Sequence, residues 1–281
     1  MLKNTNWKDY EILALEKGFK VERFGEVILK RPEPLAQNKK RTSIPVDSTF
    51  IDNHWSHPIT SWTIQYKDLK FTLETGKFKH VGIFPEQADN WDFLRHCLRK
   101  IPNAKVLNLF GYTGAATIAC AKESPQEIVH VDALKSTLET AQKNAQLNQV
   151  DDQFIRYIND DAIKFLEREA RRERNYQGIV MDPPSFGRGP KGEMWKITEQ
   201  LPTLIDLALD RLQVEGEFLV INTYSTNLSK YDVRKLLIEK LEEHNLPINV
   251  KSYDLSLPIK DSTDVLRAGQ TVRWARQKHL L

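Results

Sequence analysis

Cysteine is scarce. Cys97 and Cys120 are the only two in 281 residues, and their separation fits neither a zinc nor a redox motif. No disulfide framework is expected, and a reducing compartment suits the chain. No apolar run approaches the length that spans a bilayer, and the opening MLKNTNWKDYEIL lacks the apolar core of a signal peptide. A cytoplasmic protein without a membrane partner is therefore expected. Charge is nearly balanced, with 41 Lys and Arg against 38 Asp and Glu for a net +3; an anionic partner is permitted but not demanded. His54 and His57 flank Trp55 without further ligands nearby in sequence, so no metal centre is expected. Also missing is the Gly-x-Gly-x-x-Gly fingerprint, which argues against pyrophosphate binding and a nicotinamide dehydrogenase. Repeats and low-complexity tracts are absent.

What the chain does have is a strand, a tight turn and a helix in succession over residues 104–119. Val106, Leu107, Leu109 and Phe110 read as a short buried strand, Gly111-Tyr112-Thr113-Gly114 as the turn, and Ala115, Ala116, Ile118 and Ala119 as a helix start. Such a turn lets a ligand approach the backbone and presents helix N–H groups. Three further apolar segments end in carboxylates: 128–131 in Asp132, 154–158 in Asn159-Asp160-Asp161, and 179–181 in Asp182-Pro183-Pro184-Ser185-Phe186. Asp132 follows Gly111 by 21 residues, the place for an acid that meets ribose hydroxyls. One such acid is as readily a helix N-cap as a ligand. The ordered set instead describes the carboxyl edge of a parallel sheet, where open α/β folds bind ligands.

Taken in order, residues 1–80 read as a small β-rich accessory domain. Residues 21–24 and 27–29 flank Gly25 as a hairpin, and residues 62–66 and 69–73 alternate around Lys67-Asp68 as a second. Four of the six tryptophans (Trp7, Trp55, Trp62, Trp91) precede residue 92, and core filling is their default role. Residues 1–45 carry ten Lys or Arg, including Lys39, Lys40 and Arg41, against six acids; a solvated face is the plain reading. A helix is expected from Asp89 to Lys100, with Trp91, Leu94 and Leu98 on one face. Further helices are expected with Leu134, Leu138, Ala141 and Ala145, over 162–174, and over 201–212 closed by Glu215-Gly216. A fifth strand, 218–221, leads into Asn222-Thr223-Tyr224-Ser225. Strands near 248–257 and 270–275, with no helix between, predict an antiparallel hairpin at a sheet edge. Strands alternating with helices imply a doubly wound sheet over 81–281.

The motifs Asn108-Leu-Phe110-Gly-Tyr112-Thr-Gly114, Val-Asp132, Asp-Asp161-Ala162 and Asp182-Pro-Pro-Ser-Phe186 resemble class I S-adenosylmethionine-dependent methyltransferases. They are most similar to the ribosomal large-subunit RNA methyltransferases with NxFxYTG and DPPxF motifs. The resemblance covers roughly 80–275. It implies a Rossmann-like, seven-stranded, mostly parallel sheet with a C-terminal antiparallel hairpin, S-adenosylmethionine as cofactor and RNA as acceptor. It further implies that Asn108, Phe110, Gly111, Tyr112, Thr113 and Gly114 shape the cofactor turn. Asp132 and Ala133 would hold the ribose, Asp161 and Ala162 the adenine, with Phe84 and Gln87 closing the pocket. Asp182, Pro183 and Phe186 would face the acceptor, Asp182 also lying near the sulfonium. Residues 1–80 do not resemble the PUA domain of some members, so RNA targeting is not implied by that part.

Phe186 can stack on an extruded base or pack in a core, and Arg188 and Lys191 in the 186–192 loop can reach phosphates or remain solvated. Methylation of carbon 5 of a pyrimidine generally requires a thiolate that first attacks carbon 6. The segment after the fifth strand, where related enzymes carry it, has no cysteine. Direct transfer to a base nitrogen is expected, with a protein or small-molecule methyltransferase, or a non-catalytic cofactor- or RNA-binding module, as alternatives.

Overall fold

The computed structural model describes residues 1–36, 43–189, 192, 194–212, 216–224 and 227–281. Two compact units emerge: Met1–Asp89 with Leu255–Ala268, and Asn90–Asp254 with Gly269–Leu281.

In the first unit, β1 (Leu2–Lys3), β2 (Tyr10–Glu16), β3 (Phe19–Phe24) and β4 (Val27–Pro32) are followed by β5 (Ser48–Ile51) and β6 (His54–Trp55). The last two strands, β7 (Trp62–Tyr66) and β8 (Leu69–Leu73), form their own two-stranded sheet, while β2 to β6 make a five-stranded sheet in sequence order. Alternation decides which face is buried. Along β2, Tyr10, Ile12 and Ala14 are buried with Glu16, whose partner is Lys30. The expected hairpins at Gly25 and Lys67-Asp68 are present. Trp55 is buried and donates to the Phe78 carbonyl at 3.0 Å, and Trp7 donates to the Pro85 carbonyl at 3.0 Å. Trp55 therefore fills core, while Trp7 is half-buried against Tyr10 and Tyr66.

The unit also buries an ion pair. The Glu22 carboxylate accepts from Arg31 Nε at 2.7 Å and Nη2 at 2.9 Å, and from the Tyr10 hydroxyl at 2.8 Å. Burial alone would raise the Glu22 pKa, but Arg31 and Lys20 overcome it and bring it down to about 2.

The second unit opens with α1 (Ala88–Leu98), whose first two residues still belong to the first unit. Next come β9 (Lys105–Leu109), α2 (Ala115–Ala121), β10 (Glu127–Asp132), α3 (Lys135–Leu147), β11 (Ile155–Asn159), α4 (Ala162–Arg171) and β12 (Gly178–Met181). A small ribbon of β13 (Phe186–Arg188) and β14 (Met194–Lys196) precedes α5 (Ile197–Leu212), β15 (Phe218–Thr223), α6 (Lys230–Glu243), β16 (Val250–Pro258) and β17 (Val265–Ala275). Seven of these strands take the order β16-β17-β15-β12-β9-β10-β11 in an eight-stranded sheet whose remaining strand is β1. β15, β12, β9, β10 and β11 are mutually parallel, and β17 runs antiparallel to β15. This is the Rossmann-like architecture that the alternation predicts. β9, β12 and β15 are buried almost throughout, as expected for strands with helices on both faces.

Several expectations need correction. The compact units divide at Asp89/Asn90 rather than at 80/81, because Val81 and Pro85 bond back to Glu74 and Trp7. Residues 255–268 belong to the first unit, where Leu2–Lys3 pair in parallel with Leu255 and Ser256. The hairpin's outer strand is therefore not the sheet edge. Leu134 and Phe154 are exposed, at the N-cap of α3 and just before β11. The 186–192 segment begins as a paired strand. α6 is a further helix, started by a capping box between Ser229 and Asp232. Lys39, Lys40, Arg41, Lys191, Glu215 and Ser225 lie outside the described residues.

Candidate active site at the strand ends

Register builds the site. Leu109, Val131, Ile158, Met181 and Ile221 fall in one row across the parallel strands. The next residue of each chain segment forms a second row at the carboxyl edge: Asn159, Asp132, Phe110, Asp182 and Asn222. Strands lie about 4.8 Å apart. Asp132 and Asp182, one strand to either side of β9, are thus about 10 Å apart along the edge. Between β9 and β12 the strand order reverses, the switch point where open sheets bind ligands.

The turn after β9 is held in an uncommon shape. Phe110, Tyr112 and Gly114 all have positive φ, at 57°, 50° and 89°. Two of these three are not glycine, and such residues persist only where their surroundings over-determine them. Two contacts explain the glycines. A Cβ on Gly111 would stand 2.4 Å from the His130 ring, and one on Gly114 would stand 2.9 Å from the Ala141 Cβ. Gly111 donates to Val131, Tyr112 to the Asp132 carboxylate and Gly114 to Gly111. Those amides are spent inside the protein, so what the turn offers a ligand is close approach, not a phosphate cradle.

Beneath the turn lies a buried polar chain. Asn108 donates to the Thr117 hydroxyl at 2.9 Å, which lies 2.8 Å from His130 Nδ1. Burial pushes the His130 pKa down to about 4, so the ring is neutral near pH 7. Asn108 is 3% exposed and braces the turn from below. Thr113 is buried, and its carbonyl accepts from Asn144 at 3.0 Å.

Asp132 is pre-positioned. Its Oδ1 accepts from the Leu134 amide at 2.9 Å and the Thr137 hydroxyl at 2.8 Å, and its Oδ2 from the Tyr112 amide at 2.8 Å. A carboxylate has about four acceptor positions, which leaves Oδ2 open to one ligand donor. Asn159 bonds the Asp132 and Ala133 carbonyls and so fixes this strand tip. Asp161 caps α4 through the Lys164 amide at 3.0 Å, Ala162 is buried, and Asp160 pairs with Arg168. The Asp182 amide donates to the Leu109 carbonyl at 3.3 Å, and Pro183 is buried. Phe186 is 69% exposed, which removes the reading of a core phenylalanine. Phe84 and Gln87 belong to the first unit, the former half-buried against His80 and the latter buried. The edge described here is built from the second unit alone.

The chemistry fits an adenosyl cofactor: an acceptor-only carboxylate for a hydroxyl donor, and a turn whose missing side chains permit close approach. Residues 45–222 match the family described as S-adenosylmethionine-dependent methyltransferases. The chain belongs to that family. A SAM-dependent methyltransferase from Agrobacterium tumefaciens is 30% identical to it, with a TM-score of 0.89 over 98% of this methyltransferase and 93% of that one. A methyltransferase from Streptococcus mutans, 16% identical with a TM-score of 0.72 over 96% and 76%, shares the fold. "Ribosomal RNA large subunit methyltransferase I" of Aeromonas salmonicida is 31% identical over 134 residues, 47% of this chain and 33% of that protein. The protein of that name from Yersinia pseudotuberculosis is 33% identical over 149 residues, 53% and 36%. Each match thus spans about a third of the curated relative. The cofactor of this family is S-adenosylmethionine, whose sulfonium supplies an electrophilic methyl group.

Three contributors escaped the sequence reading. Trp195 is buried, packs on Phe110 with ring centroids 5.1 Å apart and donates to the Pro184 carbonyl, joining the turn to the Asp-Pro-Pro segment. Asn90 donates to Asn222 at 2.8 Å and accepts from Arg273 at 2.7 and 3.0 Å, fixing the tip of β15. His130 fills the space that Gly111 leaves. Only a histidine inside the apolar run 128–131 signalled the last of these.

Among the described residues, no group of three His, Cys, Asp or Glu side chains could hold a metal, and no helix is long and apolar enough to cross a membrane.

Proposed function

We propose that this methyltransferase acts on RNA, in particular RNA of the ribosomal large subunit, and transfers the methyl group directly to a base nitrogen. The observation that carries the reading is the edge row itself. Asp132 suits a ribose hydroxyl at Oδ2, and Asp182, across the switch point, suits an acceptor amino or ring N–H that it can orient by accepting a hydrogen bond. Asp161 and Ala162 complete the adenine end, and Pro183 stiffens the backbone where the acceptor arrives. The names of the curated relatives support the RNA acceptor. A cytoplasmic setting follows from that acceptor, and the first unit acts in this reading as an accessory domain.

Direct transfer is favoured over a covalent route by the cysteines. Cys97 and Cys120 are both buried, and burial pushes both thiols up, Cys97 to about 12. Neither supplies a thiolate near pH 7. In-line displacement at the methyl carbon then needs positioning and electrostatics from the protein, not a nucleophile of its own.

The test is incubation with labelled S-adenosylmethionine and, separately, the RNA, protein and metabolite fractions of cells lacking this protein. Label in large-subunit RNA as a nitrogen-methylated base supports the proposal. Label confined to protein or metabolites, or a C5-methylated pyrimidine, overturns it.

A further inference from the structure

The ribbon after Asp182 has two unlike faces. Its register pairs Phe186 with Lys196, Gly187 with Trp195 and Arg188 with Met194. Residues directly opposite share a face, as do residues two apart on one strand. Gly187 and Trp195 therefore form one face. It is seated on the protein: Trp195 is 4% exposed, bonds Pro184 and packs on Phe110. A Cβ on Gly187 would meet Pro184 at 3.3 Å.

The other face carries Phe186, Arg188, Met194 and Lys196. Phe186 is 69% exposed and Met194 is 57% exposed, and Arg188 is exposed and makes no ion pair with a described residue. Lys196 is tied to Glu199 at 2.9 Å, yet its side chain stays 44% exposed. The four alternate, apolar opposite cationic in both rungs. Two large apolar side chains thus stand mostly in water on a pinned ribbon.

We infer that this face is a platform for unpaired RNA, on which bases flanking the acceptor stack on Phe186 and Met194 while Arg188 and Lys196 hold phosphates. Stacking and phosphate contacts alternate along a single strand, and the face repeats that alternation over about 7 Å along each strand. A duplex keeps its base faces inside the helix and can use only the cations. The inference rests on the RNA reading above and adds to it the strandedness of the acceptor. Trp195 explains the location, since it fastens the ribbon to the same turn and Asp-Pro-Pro segment that frame the edge row.

The test uses the whole chain and a fluorescent single-stranded RNA of about twelve nucleotides, free or annealed to its complement. Anisotropy at ~150 mM salt should show the single strand bound at least tenfold more tightly than the duplex. Phe186→Ala and Met194→Ser should each weaken single-strand binding by about fivefold or more, and Phe186→Trp should restore it. Arg188→Gln should lower the slope of log affinity against log salt by about 0.7. S-adenosylhomocysteine binding, measured by calorimetry, reports that each variant is folded. Equal or tighter duplex binding, or folded variants that bind single strands as the parent does, overturns the platform. A parent protein that methylates RNA while those variants keep its RNA KM overturns the platform but leaves the RNA reading intact. Label that never enters RNA overturns both.

Discussion

In the first unit the buried charges answer one another: Glu22 accepts from Nε and Nη2 of Arg31 and from the Tyr10 hydroxyl. In the second unit the buried polar side chains bond one another beneath the turn and at the tip of β15. Asn108, Thr117 and His130 brace a turn with three positive-φ residues, and Asn90 and Arg273 fix the end of β15. Glu22 is wholly buried, beyond a ligand's reach, and its cluster speaks for structure. A braced edge speaks for pre-organisation, since a site must be held before its ligand arrives.

The largest effect should come from breaking the closed cluster. Glu22→Ala leaves Arg31 buried without its partner and should cost about 3–5 kcal/mol. Urea unfolding followed by a first-unit tryptophan signal checks this, and a loss under ~1 kcal/mol would mean that the pair is solvated. Acid should act on the brace. His130 titrates at about 4 in the fold against an ordinary 6.5. Its contribution is fully present above about 6.5 and is lost as pH falls toward about 4, an upper bound of about 3 kcal/mol. His80 in the first unit shifts the same way. His130→Gln should therefore remove part of the loss between those pH values, and an unchanged acid profile would contradict the neutral, buried ring. Gly111→Ala places a methyl against His130 and should cost about 1–3 kcal/mol. Adding His130→Ala should return part of it, read by thermal unfolding of the two variants. The smallest effect belongs to the cysteines: Cys97→Ala with Cys120→Ala should keep the methylation rate within about twofold, since neither thiol is ionised. Loss of turnover in the folded double variant would instead place a thiol in the chemistry.

The same contrast marks what was legible in the sequence. The second unit follows apolar runs ending in acids, and a parallel sheet turns that linear order into a spatial row, so Asp132, Phe110 and Asp182 could be grouped unseen. Trp195, Asn90 and Arg273 could not, because their partners are distant in sequence and nothing local announces them. α6 escaped for another reason: KYDVRKLLIEKLEE is heavily charged, and Val233, Leu237 and Leu241 alone make its buried stripe. In the first unit the hairpins were readable from turn residues. The return of residues 255–268 was not, since a strand that changes unit midway carries no mark of it.

Titration calorimetry with S-adenosylhomocysteine tests the central claim, that the braced edge of the second unit is the cofactor site. The parent should bind, and Asp132→Ala should weaken binding by about 1–3 kcal/mol through the lost charge-assisted hydrogen bond. Glu22→Gln, which alters the closed cluster of the first unit, should leave the affinity of the folded protein unchanged. A parent that does not bind, or an Asp132→Ala protein that binds equally well, would contradict the account.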